Sequence, residues 1–306
     1  MTGSSPASAP QDPYYTLPNE WDFADERLAL LGAAYDPESI ALAQRLGVGA
    51  GWRCLEAGAG GGSFARWLCG ATLPSGRVLA VDADPRHLTD LPDSGGEVAR
   101  IDLVNDELPE GAFDFVHTRF VLLHIAHRDV VLERLARALA PGGVLLLEEG
   151  DGLGVLNELP GAFGEVWRAF ARSTETAGAN QAWARNLPSH LETLGLVDVQ
   201  ADAQIPVFRG GSPMARMWNL TWAQVHETLV GLGVSHKVIA TAQAELGDVR
   251  RWFYAPPTVR AWGRAPGCQL LEEAQQVTNI ASRKPPVWLP KTPPSQRSKV
   301  SLKPHP

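Results

Sequence analysis

The chain of 306 residues is poor in cysteine and carries no excess of positive charge. Its three cysteines, Cys54, Cys69 and Cys268, are odd in number and lack the spacing of metal or redox sites. A net charge of −7 argues against a nucleic-acid partner, because phosphate contacts dominate such binding. No apolar run approaches the ~20 residues of a membrane span, and no secretory signal opens the sequence. We therefore expect a cytoplasmic protein with no metal site and no membrane association.

Both ends of the chain lack the apolar residues that a core requires. Residues 1–13 are small and polar. From residue 282 onward the chain contains no Asp or Glu, and it has several Lys and Arg and repeated prolines. Such segments bury too little apolar surface to offset their chain entropy. We predict disorder at 1–13 and in a basic, proline-rich tail at 267–306. A docking arm for an acidic partner or a membrane is the alternative for the tail.

The middle of the chain alternates between strand-like and helix-like patterns. From Asp22 to Leu46 apolar residues recur at helical spacing, interrupted at Tyr35-Asp36-Pro37, which predicts two helices in an N-terminal cap at 14–50. The main domain is expected at 51–266. One of its later strands is expected from Leu196 to Val207. Residues 212–247 are predicted to form an insertion of two helices.

The most informative segment runs from Arg53 to Ser63, where a short apolar run breaks into glycines and then resumes with helical spacing. This pattern predicts a strand, a tight turn and a helix start, which presents unpaired N–H groups to a ligand. A dinucleotide fold uses the same device, but its Gly-x-Gly-x-x-Gly pattern fails at Ser63. Glu56 at the mouth of the loop would also repel a pyrophosphate. The loop therefore predicts a small ligand that carries positive charge.

Four further segments follow the glycine loop in a consistent order. They are Val78–Pro85, Ala99–Leu103, Phe113–His124 and Leu139–Glu148. With Glu56-x-Gly58-x-Gly60-x-Gly62 they resemble the motifs of class I S-adenosylmethionine-dependent methyltransferases, of the small-molecule type found in bacterial secondary metabolism. The resemblance covers roughly residues 50–150. It implies an α/β fold, a Rossmann-like seven-stranded mostly parallel sheet with helices on both faces, plus N-terminal helices and a helical lid insertion.

The resemblance also assigns residues to the cofactor, S-adenosyl-L-methionine, whose product is S-adenosyl-L-homocysteine. Asp82 lies about 20 residues past the glycines, where a carboxylate reaches a ribose diol, and Asp102 is expected at the adenine. The expected cofactor contacts are Glu56, Gly58, Ala59, Gly60, Asp82, Ala83, Asp102, Leu103, Thr118 and Arg119. Other interpretations stay open: Asp82 as a turn residue, Glu56 as a brace for the loop, and Arg119 as half of a surface ion pair.

Three residues are candidates for a general base, which a hydroxyl or amine acceptor would need: His124, Glu149 and His226. His124 lies where many small-molecule methyltransferases carry a histidine. Glu149 ends the fifth strand, and open α/β sheets bind ligands at such ends. His226 lies in the predicted lid.

An aromatic stripe in the insertion is the candidate acceptor wall. Trp218, Trp222 and His226 follow i, i+4 spacing and so share one helical face. Such a stripe is more often core, but in a lid it suits a flat aromatic substrate. Tyr14 and Tyr15 are expected to close the site from the other side.

These observations predict transfer of a methyl group to an O, N or C nucleophile of a small, aromatic metabolite. The alternatives are an NAD(P)-dependent oxidoreductase and a non-catalytic S-adenosylmethionine-binding protein. The sequence contains no Tyr-x-x-x-Lys pair of the kind some oxidoreductases use. The oligomeric state is not predicted.

Overall fold

The computed structural model describes residues 17–152 and 159–267. Its helices are α1 Ala24–Arg45, α2 Ser63–Thr72, α3 Arg128–Arg137, α4 Gly161–Thr176, α5 Leu187–Thr193, α6 Pro213–Gln224, α7 His226–Gly231 and α8 His236–Gly247. Its strands are β1 Arg53–Ala57, β2 Arg77–Asp82, β3 Glu97–Arg100, β4 Phe113–Arg119, β5 Leu139–Gly150, β6 Val197–Gln204, β7 Val207–Arg209, β8 Trp252–Tyr254 and β9 Thr258–Arg264. No helix in these ranges combines the length and the apolar content that a bilayer crossing demands.

Seven strands form one sheet in the order β3-β2-β1-β4-β5-β9-β6. The strands from β3 to β5 run parallel, and β9 pairs antiparallel with both β5 and β6. The chain moves outward in one direction from β1 to β3 and in the other direction from β4 to β5. This reversal leaves a crevice at the carboxyl ends of β1 and β4, where open α/β sheets bind ligands. The predicted fold class is confirmed.

Helices cover both faces of the sheet because the strands are apolar on both sides. On one face, Leu42 of α1 and Leu68 of α2 pack on the sheet. On the other face, Leu135 of α3 and Leu187 of α5 pack on the same strands. A further core lies among α4, α6, α7 and α8, and it reaches Tyr35 on α1. Helix α1 therefore belongs to both the sheet layer and the helical insertion.

The N-terminal region has one long helix where two were predicted. Pro37 lies inside α1, which nevertheless continues to Arg45. The helix continues because Leu28, Tyr35 and Leu42, spaced seven residues apart, are all buried on one side. Burial along that side outweighs the backbone hydrogen bond that proline removes.

Two other predicted elements differ from the structure. The strand expected from Leu196 to Val207 ends at Gln204, because Pro206 cannot donate to a ladder. The chain then continues as β7, which pairs with β8 in a separate two-stranded ribbon. The insertion at 212–247 contains α6, α7 and α8, so it has three helices where two were predicted.

Candidate active site

The glycine loop joins β1 to α2 at the point where the sheet order reverses. Gly58 and Gly60 have positive φ angles of 72° and 53°, which glycine adopts readily. A Cβ at Gly58 would collide with Val121, so the loop packs directly against the turn that follows β4. The N–H groups of Gly58 and Ala59 donate to the carbonyl of Val81 at 2.8 and 3.0 Å. The loop is therefore fixed between β2 and β4, at the mouth of the crevice.

Asp82, expected to bind a ribose, is the last residue of β2. The N–H of Gly60 donates to its Oδ2 and the N–H of Asp84 to its Oδ1, each at 2.9 Å. Burial raises the pKa of Asp82, and these two hydrogen bonds oppose the rise. Because each carboxylate oxygen keeps a further lone pair, Asp82 can brace the loop and still receive a diol. The adjacent Ala83 is exposed, and its carbonyl accepts a bond from Arg100 at 2.9 Å.

Asp102 and Leu103, expected near the adenine, lie in the turn after β3. Asp102 Oδ1 accepts the N–H of Val104 at 2.9 Å, and its Oδ2 accepts Asn105 Nδ2 at 2.6 Å. The Leu103 side chain is buried, and its carbonyl accepts a bond from Arg134 at 3.1 Å. Both residues lie at the expected sheet edge, but the Asp102 carboxylate is engaged within its own turn.

Glu56, expected to attract a cationic ligand, belongs to a buried network of charges. Its Oε2 lies 2.7 Å from Nδ1 of His117, and Nε2 of His117 lies 3.3 Å from Oε2 of Glu148. Burial lowers the pKa of His117, but Glu56 and Glu148 outweigh it and raise the pKa to about 9. Burial raises the pKa of Glu56 itself, and His117 opposes that rise. At neutral pH His117 is therefore a cation that links β1, β4 and β5.

The network continues to Arg119, one of the expected cofactor contacts. Ser39 Oγ donates to Glu148, and Arg119 Nη1 donates to Ser39 Oγ at 2.8 Å. Arg119 Nη2 lies 2.7 Å from Asp36 Oδ1 on α1. The ion-pair interpretation therefore holds, although the pair is largely buried. Thr118 is fully buried, and its Oγ1 has no hydrogen-bond partner among the residues described.

The network contains three carboxyl groups and two basic groups, so Glu56 does not act alone at the end of β1. Neither His117 nor Glu148 was a predicted site residue; the signal was a histidine in the middle of β4, directly after Phe115 and Val116.

The turn after β4 carries His124 and is held in place by Glu149. The Glu149 carboxylate is fully buried and accepts the N–H groups of Val121, Leu122 and Leu123 at 3.2, 2.8 and 3.3 Å. Burial raises the pKa of Glu149 to about 7, and the three hydrogen bonds oppose the rise. Because both oxygens bind backbone, Glu149 positions the turn, and the structure does not support its predicted role as a base.

His124 ends this turn beside two cations. Burial lowers the pKa of His124, and the charges of Arg27 and Arg128 lower it further, to about 4. The imidazole is therefore neutral at physiological pH, and a neutral imidazole can accept a proton. Among the three predicted bases, His124 belongs to the turn whose Val121 packs against Gly58 of the glycine loop.

Residues 19–28, the N-terminal strap, cross the crevice. Asn19 Nδ2 donates to the carbonyl of Asp84 at 3.3 Å, and the carbonyl of Asn19 lies 3.1 Å from His87 Nε2. At the other end, Leu28 packs on the glycine loop, where it is the nearest neighbour of its two middle glycines. The strap thus runs from the loop after β2 to the loop after β1.

The aromatic stripe of the insertion lies in the helical core. Trp222 is fully buried, with its ring 5.2 Å from that of Phe163, and Trp218 is 9% exposed. His226 does not share their helix, since α6 ends at Gln224, and its Nε2 lies 2.8 Å from Nδ1 of His236. The core interpretation of the two tryptophans is the one that the structure supports.

Some predictions cannot be placed or concern an absence. Tyr14 and Tyr15, the N-terminal residues 1–13 and the tail beyond Gly267 lie outside the described residues. Within the described ranges, no group of three or more His, Cys, Asp and Glu side chains could hold a metal ion. Cys54 and Cys69 are free thiols in the core.

A cavity of about 760 Å³ opens between α1, the β6–β7 segment and the start of β9. Its lining contains aromatic side chains, among them Tyr35, Phe208 and Trp252, and several polar or charged ones, among them Glu148, Thr258 and Arg260. Tyr35 also contacts Phe120, with ring centroids 4.8 Å apart. Phe120 is the first residue after β4 and has a φ of 56°, a conformation that is rare for a bulky side chain. One lining residue of the cavity thus contacts the residue that leads into the turn with His124.

Comparison with known proteins agrees with this architecture. Residues 55–145 match the model of a methyltransferase domain family. Methyltransferase str3 of Strobilurus tenacellus is 31% identical over 212 residues, covering 67% of this chain and 73% of the relative. Trans-aconitate 2-methyltransferase of Methylobacterium nodulans is 33% identical over 144 residues, or 44% of this chain and 51% of the relative. Phosphoethanolamine N-methyltransferase 2 of Haemonchus contortus, solved with S-adenosyl-L-methionine, has the same fold, with a TM-score of 0.52 and 18% identity. That match covers 81% of this chain and 59% of the solved chain.

The chain belongs to the class I S-adenosylmethionine-dependent methyltransferases, and its cofactor is S-adenosylmethionine. This membership removes the oxidoreductase alternative. The residues in the crevice also fit the cofactor, which carries an ammonium and a sulfonium but no phosphate. Asp82 keeps lone pairs for a ribose diol.

Proposed function

We propose that this methyltransferase acts on an O, N or C nucleophile of a small, aromatic metabolite. The observation that carries the proposal is the cavity beside the β4 turn. Its volume of about 760 Å³ lies within the ~300–1,000 Å³ of small-molecule sites. Tyr35, Phe208 and Trp252 offer aromatic surface, and Thr258 Oγ1 lacks a hydrogen-bond partner among the residues described. Aromatic walls with several polar and charged groups suit a flat metabolite that carries polar substituents.

In this proposal the chain binds the cofactor across the crevice. Asp82 receives the ribose diol, and the glycine loop lies along the ligand where a larger side chain would intrude. S-adenosylmethionine supplies a methyl group that its sulfonium already activates. Positioning then does much of the work, since alignment of reactants can supply roughly 7–11 kcal/mol of a barrier.

The proposed general base is His124. Its lowered pKa keeps the imidazole neutral, and Glu149 fixes the turn that carries it. His124 would take the proton of a hydroxyl or amine acceptor at a ring nitrogen. A carbon nucleophile would release its proton after transfer, and the need for a base would then be smaller.

The relatives' names do not point to one acceptor. They include a trans-aconitate 2-methyltransferase and a ubiquinone/menaquinone biosynthesis C-methyltransferase, which are names for different chemistries. The acceptor atom is therefore proposed only as O, N or C. A cytoplasmic location and a role in secondary metabolism remain predictions from the sequence.

A metabolite screen and one variant pair test the proposal. The purified protein with S-adenosylmethionine is incubated with metabolite extracts, and products that gain one methylene are identified by mass. With the acceptor in hand, Trp252→Ala should lower kcat/KM at least ~10-fold and leave S-adenosylhomocysteine affinity within about threefold. Tyr254→Ala is the matched control, because Tyr254 is exposed on the same ribbon and outside the cavity lining. Unchanged kcat/KM in Trp252→Ala would remove the cavity from the acceptor site, and turnover of non-aromatic acceptors alone would contradict the aromatic class.

A further inference from the structure

The first turns of α1 bury a guanidinium that forms no ion pair with any residue that the structure describes. Arg27 is 4% exposed, and its Nε and Nη2 atoms are buried without a hydrogen-bond partner among residues 17–152 and 159–267. A buried charge that is neither paired nor hydrogen-bonded is strongly unfavourable in a protein interior. Such an arrangement is stable where a ligand supplies the missing partner.

The neighbouring cations already have partners. Arg119 binds Asp36 and Ser39. Arg128 donates to the carbonyls of Leu122 and Gly178 at 3.2 and 2.8 Å. Arg27 therefore differs from the other two arginines around the β4 turn.

The acidic residues next to Arg27 in sequence do not neutralise it. Glu26 pairs with Arg216 on α6. Asp25 has a side chain that is 81% exposed and lies 3.7 Å from His87. The counter-charge for Arg27 must therefore come from elsewhere.

The position of Arg27 identifies where that partner would lie. Its neighbour Leu28 packs on the glycine loop after β1. On the other side, Arg27 is close enough to the β4 turn for its charge to affect His124. Arg27 is thus buried on the segment that covers the glycine loop, on the side of the β4 turn.

We propose that Arg27 binds the carboxylate of a ligand at the junction of the glycine loop and the β4 turn. A guanidinium presents a planar fork of N–H donors that matches a carboxylate in bidentate geometry. The carboxylate has two possible sources, the amino-acid end of the cofactor and an acidic acceptor. The inference rests on cofactor binding at the glycine loop, and titration of the two kinds of ligand separates the sources.

The first arm of the experiment compares ligands that differ only in the carboxylate. S-adenosylmethionine and decarboxylated S-adenosylmethionine are titrated calorimetrically into the full chain and into Arg27→Gln. If the cofactor is the source, the wild type prefers S-adenosylmethionine at least about 10-fold, and Arg27→Gln removes that preference. Affinity for the decarboxylated ligand should stay within about threefold.

The second arm addresses the acceptor. Complexes of both proteins with S-adenosylhomocysteine are titrated with benzoate, succinate and trans-aconitate. Binding of any of these to the wild type, lost in Arg27→Gln while S-adenosylmethionine affinity is unchanged, assigns the carboxylate to the acceptor and supports the proposal. Arg216→Gln, which removes an exposed arginine from the facing helix, should match the wild type in both arms.

Three results would contradict the proposal. If Arg27→Gln alters neither the cofactor preference nor the binding of the three acids, Arg27 is not a carboxylate site. The proposal is also wrong if the wild type binds the two cofactors equally and binds none of the acids. This result needs no variant, so it holds even if Arg27→Gln misfolds. Failure of the wild type to bind either cofactor would overturn the cofactor site, and this proposal with it. Unliganded Arg27→Gln should melt no lower than the wild type, because it loses an unpaired charge, whereas loss of a merely structural arginine would lower the melting temperature.

Discussion

At the scale of single residues, the crevice separates groups that hold the protein together from groups left available to a ligand. Glu56, His117 and Glu148 satisfy one another, and Glu149 is saturated by backbone N–H groups. Asp82 keeps capacity for a further donor. The residues with unused hydrogen-bonding capacity are the ones on which binding should depend.

Asp82→Asn should weaken S-adenosylhomocysteine binding by ~10–100-fold, because charge-assisted hydrogen bonds contribute roughly 1.5–3 kcal/mol. The fold should persist, since an amide oxygen can still accept one of the two N–H groups. Calorimetric titration measures the change. Asp90→Asn is the control, because Asp90 is 60% exposed and pairs with Arg66 at the surface. Wild-type affinity in Asp82→Asn would remove Asp82 from the cofactor site.

Glu149 predicts a defined pH dependence of stability. Its pKa is raised to about 7 in the folded protein, above the roughly 4.3 of an unfolded chain, so the folded state binds more protons between these values. Its contribution to stability is therefore fully present below pH ~4.3 and is lost as pH rises through about 7, by up to ~3–4 kcal/mol. Glu149→Gln lacks this titration, so its free energy of unfolding relative to wild type should rise from pH 5 to pH 8. Parallel urea-denaturation curves for the two proteins across that range would contradict the assignment.

The residues that could be predicted from sequence are those whose role depends on local conformation and spacing. Gly58 and Gly60 need positive φ, and Asp82 follows an apolar strand at a fixed distance from them. Arg27 could not be found this way, because a charge between Glu26 and Leu28 on a helix resembles a solvated face. Its burial depends on the strap and the β4 turn, which are brought together only by the fold.

At the scale of elements, tertiary burial explains the continuous α1, whereas β6 ends early for a local reason, the missing N–H donor of Pro206. Pro37 marks a local break, but α1 spans it because the same side of the helix is buried before and after. The i, i+4 pattern extends to His226, but the helix ends at Gln224 and the chain turns at Val225. Local periodicity can indicate a helix, but contacts with the neighbouring elements determine where the helix ends.

Trp222 tests whether the insertion is core or pocket wall. Trp222→Ala should lower the free energy of unfolding by ~3–5 kcal/mol, since the side chain is fully buried against Phe163. Trp222→Phe should recover much of that loss, because the indole Nε1 has no hydrogen-bond partner among the described residues. Trp252→Ala is the control and should stay within ~0.5 kcal/mol, because Trp252 is 59% exposed. A stable Trp222→Ala with impaired acceptor turnover would restore the pocket interpretation.

At the scale of the whole molecule, α1 packs both on the sheet and on the helical insertion. The hydrophobic cores of these two parts are therefore completed by residues that the structure describes. The order of the parallel strands could be expected from the succession of motifs, because each motif belongs to one strand of a known order. The path of the strap and the position of the cavity could not, since both depend on contacts between residues far apart in sequence. At this scale, the sequence does predict which segments are not needed for stability or for cofactor binding.

A chain that ends at Pro266 should therefore keep its melting temperature within about 2 °C and its S-adenosylhomocysteine affinity within about threefold. The physical reason is composition: residues 282–306 contain prolines and basic residues but too few apolar groups to join a core. Differential scanning calorimetry and titration measure both quantities. A chain that ends at Pro257 is the contrasting control, because it loses β9, which pairs with both β5 and β6, and it should not fold. If the chain ending at Pro266 instead melts well below the full chain or loses cofactor affinity, the tail docks on the protein and the alternative role for it becomes the better account.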